Sequence, residues 1–151
     1  MNKYKVADEL LVKIFNDILE IEESALRNGE FSDISVREIH IIDVIGNKNQ
    51  RMMTEVAKDL NITVGTLTTA INKLIKKGYV ERNRIEEDRR VVMVKITEKG
   101  AQAKKAHEEF HREMVSSMMI DQSEEEMEVL LVSLNKLNKY FKNKYEEINL
   151  K

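Results

Sequence analysis

Two groups of residues in this chain have the types and spacing to do chemistry. The first is His107-Glu108-Glu109-Phe110-His111, an H-E-x-x-H run. On a helix its two imidazoles stand one turn apart, where they can share a metal ion while the glutamate activates a bound water. That chemistry also needs a third protein ligand and an open coordination position. Glu124, Glu125, Glu126 and Glu128 lie downstream, so spacing alone permits a ligand, but the chain has no Gly-rich phosphate loop, no G-x-S-x-G and no cysteine. An enzyme is therefore not expected, no metal or cofactor is assigned, and a zinc hydrolase using His107, Glu108 and His111 is the weakest reading. His107 and His111 are expected to face an effector cavity or a partner subunit, with His40, Phe110 and Met114 grouped at the same pocket. Met114, Met118 and Met119 suit either ordinary core or an adaptable pocket wall, because methionine refills irregular space easily.

The second group lies between Thr63 and Arg90. At about 100° per residue, a helix from Val64 to Lys77 places Val64, Leu67, Ile71, Leu74 and Ile75 on one side. Gly65, Thr69, Asn72, Lys73 and Lys76 fall opposite, flanked by Thr66 and Thr68. An apolar face for docking and a short-chain polar face fit a helix that enters the major groove of DNA. Hydroxyls and the amide can read base edges, and Lys73 and Lys76 can neutralise phosphates. Arg82 and Arg84 follow, and then Arg89 and Arg90 after Asp88. Arginine suits a narrow minor groove, where the potential is most negative.

The elements that must hold these groups follow from periodicity and caps. Apolar residues at Leu10/Leu11, Ile14/Phe15, Ile18/Leu19 and Ala25/Leu26 predict a helix over about Tyr4 to Leu26, closed by Gly29. Ser35-Val36-Arg37-Glu38 has the capping-box spacing that opens a second helix, running to Gly46 and followed by a polar turn, Asn47 to Gln50. Helices over Thr54–Leu60 and Val64–Lys77, separated by three residues, match a helix-turn-helix. Thr63 is the expected N-cap and Gly78 the C-cap. The period then drops to two over Tyr79–Ile85 and Val91–Thr97, a hairpin with the charged tip Glu86 to Arg90. A long helix to about Met119 follows. Ser123 to Glu126 repeats the capping-box spacing before a last helix with a heptad-like seam: Met127, Leu130/Leu131, Leu134, Leu137, Phe141, Tyr145 and Ile148.

Composition narrows the class. The net charge of −2 conceals an asymmetry: eleven basic against five acidic residues between Thr63 and Lys105 leave +6 there and −8 elsewhere. Phosphate attraction acts locally, over about 8 Å at physiological salt. The 151 residues, 42% hydrophobic and 34% charged, are those of a soluble chain with no apolar run near the ~18 residues of a membrane span. Without cysteines or a recognisable targeting segment, a cytoplasmic location is expected, with no membrane partner.

Asp88-Arg89-Arg90, Val92 to Ile96 and Thr97-Glu98-Lys99-Gly100, preceded by Leu74 to Arg82, resemble the wing signature of MarR-family regulators, with Asp88, Arg90, Thr97 and Gly100 at its marked positions. The resemblance implies a two-fold dimer whose terminal helices form the dimerisation region, a wing arginine at Arg90 or Arg89, and Asp88 as the acid that steadies it. Ile21-Glu22-Glu23, Phe31 to Ser35 with Glu38 and His40, Ile42 to Gly46, Gly65 to Thr69, and Phe110-His111 with Met114-Val115 are further similar to the fatty-acid-synthesis repressors of Gram-positive bacteria. That similarity implies repression of lipid-synthesis genes with long-chain acyl groups on acyl carrier protein as corepressor. A MarR-type regulator answering a small aromatic ligand or a metal ion is the alternative.

The expected fold is mainly α with a small β-hairpin wing: a winged helix-turn-helix over residues 47–97 and a helical dimerisation region from both termini, residues 1–46 and 98–151, in one intertwined domain. The expected partner is a pseudo-palindromic operator in double-stranded DNA, bound by a homodimer. Its contacts are assigned to Thr63, Val64, Gly65, Thr66, Thr68, Thr69, Asn72, Lys73, Lys76, Arg84, Asp88, Arg89 and Arg90.

Overall fold

The computed structural model describes residues 2–47 and 49–149. The chain divides into two compact units, residues 1–108 and 109–151. In the first, helix α1 (Lys3–Asn28) is followed by α2 (Val36–Ile45), strand β1 (Arg51–Met52), α3 (Met53–Asp59), α4 (Val64–Lys76), β2 (Val80–Arg84) and β3 (Val92–Ile96). Helix α5 (Glu98–Met119) begins there and continues into the second unit, which also holds α6 (Glu124–Asn149). The architecture is mainly helical with a small antiparallel sheet at the wing, as expected.

The caps sit where the side chains can make them. Ser35 Oγ accepts from the Glu38 amide while Glu38 Oε2 accepts from the Ser35 amide, so two otherwise unpaired donors at the start of α2 are satisfied. Ser123 and Glu126 repeat the arrangement ahead of α6. These backbone and side-chain bonds to Ser123 hold the Glu126 carboxyl below its ordinary range. Thr63 Oγ1 accepts from the Thr66 amide at the start of α4. Gly78, just past the helix end, has φ +84°, a conformation that disfavours any side chain.

One element departs from the expected hairpin. Arg51–Met52 pairs antiparallel with β3, opposite Val94 and Met93, so the sheet has three strands in the order β1-β3-β2. Two residues carry no readable period; the free edge of β3 recruits them. Beside it, the expected turn over Asn47–Gln50 includes Lys48, which lies outside the described residues. The final residues of the expected dimerisation region, 150 and 151, lie outside them too.

The core of the first unit is made by α2, α3, α4 and the sheet. Ile39, Ile42, Val56, Leu67, Ile71, Leu74 and Tyr79 are all fully buried. Branched residues at helical spacing on α2 and α4 thus meet the strand residues Val80 and Val94. Helix α1 contributes differently: Leu10, Leu11, Val12, Ile14 and Phe15 are exposed, and its one buried residue is Glu22. In the second unit, no residue of α6 is buried; Leu131, Leu134, Phe141 and Tyr145 are all exposed.

Candidate nucleic-acid interface

Helix α4 presents the polar face expected of it. Leu67, Ile71 and Leu74 are buried, and Gly65, Thr66, Thr69, Asn72, Lys73 and Lys76 are exposed. Val64 differs from the expected apolar stripe: it is 42% exposed, because the first turn of the helix overhangs the core. Three of the hydroxyl protons along this face, those of Thr63, Thr68 and Thr69, are already committed locally. Thr68 Oγ1 donates to Val64 O (2.8 Å), Thr69 Oγ1 to Gly65 O (3.3 Å) and Thr63 Oγ1 to Thr66 Oγ1 (2.9 Å). Thr68 and Thr69 therefore offer outward acceptor lone pairs and methyl groups.

Asn72 is also oriented. Arg82 Nη1, on β2, donates to Asn72 Oδ1 at 2.7 Å, which leaves the amide NH2 of Asn72 as its outward group. The sequence marks Arg82 only as part of a basic strand, and its reach across to α4 is not visible there. At the wing tip, Arg90 holds Asp88 through Nε to Oδ1 (3.0 Å) and Nη2 to Oδ2 (3.3 Å), and the Arg90 amide donates to Asp88 Oδ1. The Arg90 hydrogen bonds hold the Asp88 carboxyl below its ordinary range. The Arg90 side chain is 92% exposed, so the pair aims a guanidinium outward without burying it. Arg84 Nη1 bonds Arg89 O across the tip.

A tight junction fixes the wing against the end of α4. Thr97 Oγ1 donates to Gly78 O (2.6 Å) and accepts from the Gly100 amide (3.1 Å), while the Thr97 amide donates to Tyr79 O (3.0 Å). A Cβ on Gly100 would lie 2.3 Å from Tyr79 O, so only glycine fits. The Lys99 ammonium sits 4.3 Å over the Tyr79 ring. The Tyr79 hydroxyl in turn donates to Asp33 Oδ1, and burial together with that carboxylate pushes its pKa up. Lys77 Nζ bonds Glu38 Oε2 at 2.8 Å, tying the end of α4 to the start of α2. The Thr97 and Gly100 positions of the wing signature thus have a local physical cause.

The residues grouped at an effector pocket fall in both units, some in each. His40 and His107 come together, with ring centroids 5.5 Å apart, and both meet the buried carboxylate of Glu22: His40 Nε2 at 2.9 Å from Oε1, and His107 Nε2 in contact with the same oxygen. His107 Nδ1 lies 2.6 Å from Asp43 Oδ2. Burial pushes Glu22 up, but its bonds to His107 and His40 prevail and hold it below the ordinary carboxylate range. Burial likewise pushes His107 down, and Asp43 and Glu22 prevail to raise it. Phe110, His111 and Met114 belong to the second unit, where all three are half-buried and the rings of Phe110 and His111 meet edge to face at 5.3 Å. Glu108 is ion-paired with Lys104. Sequence reasoning missed Glu22 and Asp43, each an acid on a helix that also carries apolar residues.

The family model for the transcriptional regulators SarA/Rot matches residues 30–108. FabT of Streptococcus pneumoniae, solved in complex with DNA, is 42% identical, with 93% of this chain and 99% of that one covered at a TM-score of 0.88. The regulator BilQ of Clostridium symbiosum is 32% identical over 107 residues, 70% of this chain and 74% of its own length. A mutant MarR protein of E. coli in complex with operator DNA shares the fold at 23% identity, over 90% and 96% of the two chains, with a TM-score of 0.69. Curated relatives are spanned over 53% to 91% of their own length. Among the described residues no helix is long and apolar enough to cross a membrane. The chain belongs to the MarR-type winged-helix transcriptional regulators, the DNA-binding family that the SarA/Rot model and these relatives represent.

Proposed function

We propose that this regulator is a homodimeric repressor of fatty-acid synthesis genes. In this reading its α4 helices enter successive major grooves of a pseudo-palindromic operator, and long-chain acyl-acyl carrier protein strengthens the complex. The observation that carries it is the 42% identity to FabT, a protein solved with DNA, over 99% of that chain. It agrees with the sequence resemblance to lipid-synthesis repressors.

The geometry is compatible with the following roles. Thr63, Thr66, Thr68, Thr69 and Asn72 face the base edges, where Thr68 and Thr69 accept from exocyclic amines and the Asn72 amide donates. The exposed Val64 methyls suit a thymine methyl. Gly65 lets the backbone approach closely, since among the described residues, its own helix backbone and chain neighbours aside, only Thr63 Oγ1 at 3.9 Å stands near the place its Cβ would take. Lys73 and Lys76 neutralise phosphates, while Arg84, Asp88, Arg89 and Arg90 form the minor-groove wing. The apolar residues left exposed on α1 and α6, in the terminal segments 1–46 and 98–151, supply the surface for a second copy of this chain. The regulator is placed in the cytoplasm, where its operator is.

The test is fluorescence anisotropy with a labelled duplex taken from upstream of fatty-acid synthesis genes, in the presence and absence of acyl carrier protein loaded with a long acyl chain. The loaded carrier is expected to tighten binding at least tenfold while the unloaded carrier does nothing. Equal affinity with either, or weaker binding with the loaded form, refutes the corepressor assignment.

A further inference from the structure

Lys76 and Lys77 are neighbours in sequence but not in surroundings. A step of about 100° per residue leaves Lys76 in solvent and carries Lys77, the residue that caps α4, round to the side of α2, where its side chain is 30% exposed. There Lys77 Nζ donates to Glu38 Oε2 at 2.8 Å and to the carbonyl oxygen of Asp33. The carboxylate it meets is itself held: Glu38 Oε2 accepts from the Ser35 amide at the start of α2, and its side chain is 9% exposed. A buried carboxylate gripped by an amide on one side and an ammonium on the other is a directional clamp, and the ammonium inside it is not available to phosphate.

Apolar packing alone does not orient α4. Leu67, Ile71 and Leu74 are fully buried, but contacts of that kind are non-directional and let a helix roll and tilt slightly on the core. The helix has 13 residues, about 20 Å at 1.5 Å per residue. A tilt of about 5° at the Lys77 end therefore displaces its first turn by about 2 Å. Hydrogen bonds to base edges do not survive such a shift. Attraction to phosphate, which reaches about 8 Å at physiological salt, hardly changes.

We propose that Lys77 is a positioning residue that determines specificity: it touches no DNA and, through Glu38 and the Asp33 carbonyl, fixes the angle at which α4 presents Thr63 to Asn72 to the bases. The basic residues at the end of α4 then divide their work. Lys73 and Lys76 supply affinity, and Lys77 supplies register. This inference rests on the reading of α4 given above.

The experiment is fluorescence anisotropy of the full-length chain at several salt concentrations, with two duplexes. One is obtained by selection from randomised sequences with the parent chain, and the other is its scrambled counterpart, so neither a lipid gene nor acyl carrier protein enters. Lys77→Met keeps the length of the stem and removes the ammonium. Because it strips Glu38 of its cation, a second variant combines it with Glu38→Gln, which removes the buried charge and still suits a capping box. In both variants, affinity for the scrambled duplex and the salt slope should stay with the parent, while the ratio of selected to scrambled affinity falls at least tenfold. Lys73→Met and Lys76→Met should each lower the slope by about 0.9 and leave that ratio unchanged. A slope lowered by about 0.9 in Lys77→Met makes Lys77 one more phosphate contact and overturns the proposal. So does a ratio that both Lys77 variants leave unchanged. If neither Lys73→Met nor Lys76→Met lowers the slope, the reading of α4 itself falls, and this inference with it.

Discussion

Replacing Gly100 by alanine adds a methyl group 2.3 Å from Tyr79 O, where about 3.3 Å is the closest comfortable approach. One of the two must move by about 1 Å. The carbonyl cannot yield cheaply, since it accepts the Thr97 amide at 3.0 Å and follows Gly78 at φ +84°. Nor can the methyl swing away, because Ile96 Cβ would stand 3.0 Å on another side. Overpacking of this kind costs about 1–3 kcal/mol, and the Thr97–Tyr79 hydrogen bond is worth about 1 kcal/mol more. The better helix propensity of alanine returns up to about 1 kcal/mol, leaving a net loss of about 2 kcal/mol. In a chain of this length that lowers the melting midpoint by about 4–8 °C. Urea unfolding followed by circular dichroism measures the loss directly. A Gly100→Ala stability within about 0.5 kcal/mol of the parent, the range of a neutral surface change, would refute the claim that this glycine is required by space.

Further outcomes follow from the interface and its supports. Arg90→Ala should weaken operator binding irrespective of sequence and reduce the salt slope by about 0.9 for each phosphate it no longer neutralises, read from anisotropy at several salt concentrations; an unchanged slope means that Arg90 does not touch phosphate. The Asp88 carboxyl should titrate below its ordinary value by NMR and return to it in Arg90→Ala. A depressed carboxylate pKa means that the Asp88–Arg90 pairing is fully present above the ordinary value and disappears as pH falls through the lowered one. Arg82→Ala frees Asn72 Oδ1, so base preference should change at one position per half-site with the other positions unaltered, as selection from randomised duplexes would reveal. Tyr79→Phe removes a charge-assisted hydrogen bond to Asp33 and should cost about 1–2 kcal/mol, with a double-mutant cycle against Asp33→Ala recovering most of it.

Local physics accounts for what the sequence makes legible. Capping at Ser35, Thr63 and Ser123 depends on residues within a few positions of each other, and so does the buried face Leu67, Ile71, Leu74. These elements and the polar side of α4 can therefore be placed without the fold. Val64 falls on the apolar stripe by periodicity yet is exposed, because periodicity registers direction around a helix but not where the core ends along it. Strand β1 has only two residues and exists because β3 offers an edge. Arg82 reaches Asn72 ten positions away, a matter of how the hairpin folds back on α4.

Glu22 lies furthest from view because its partners stand 18 and 85 positions along the chain, and an acid within an apolar helix otherwise resembles a solvated turn. Its location also gives α2 two duties. Glu38, in the first turn of α2, holds Lys77 at the end of α4, and His40 and Asp43, within the next two turns, meet Glu22 and His107. Helix α2 packs against the core through Ile39, Ile41, Ile42 and Ile45, none more than 2% exposed, so it responds as a rigid body. The carboxylate–histidine cluster and the Lys77 anchor therefore draw on the same element. The residues that set α4 in place and those that face Glu22 thus share ten residues of helix. That is a short mechanical path between a buried ion cluster and a DNA-reading surface, and it requires no contact between the two.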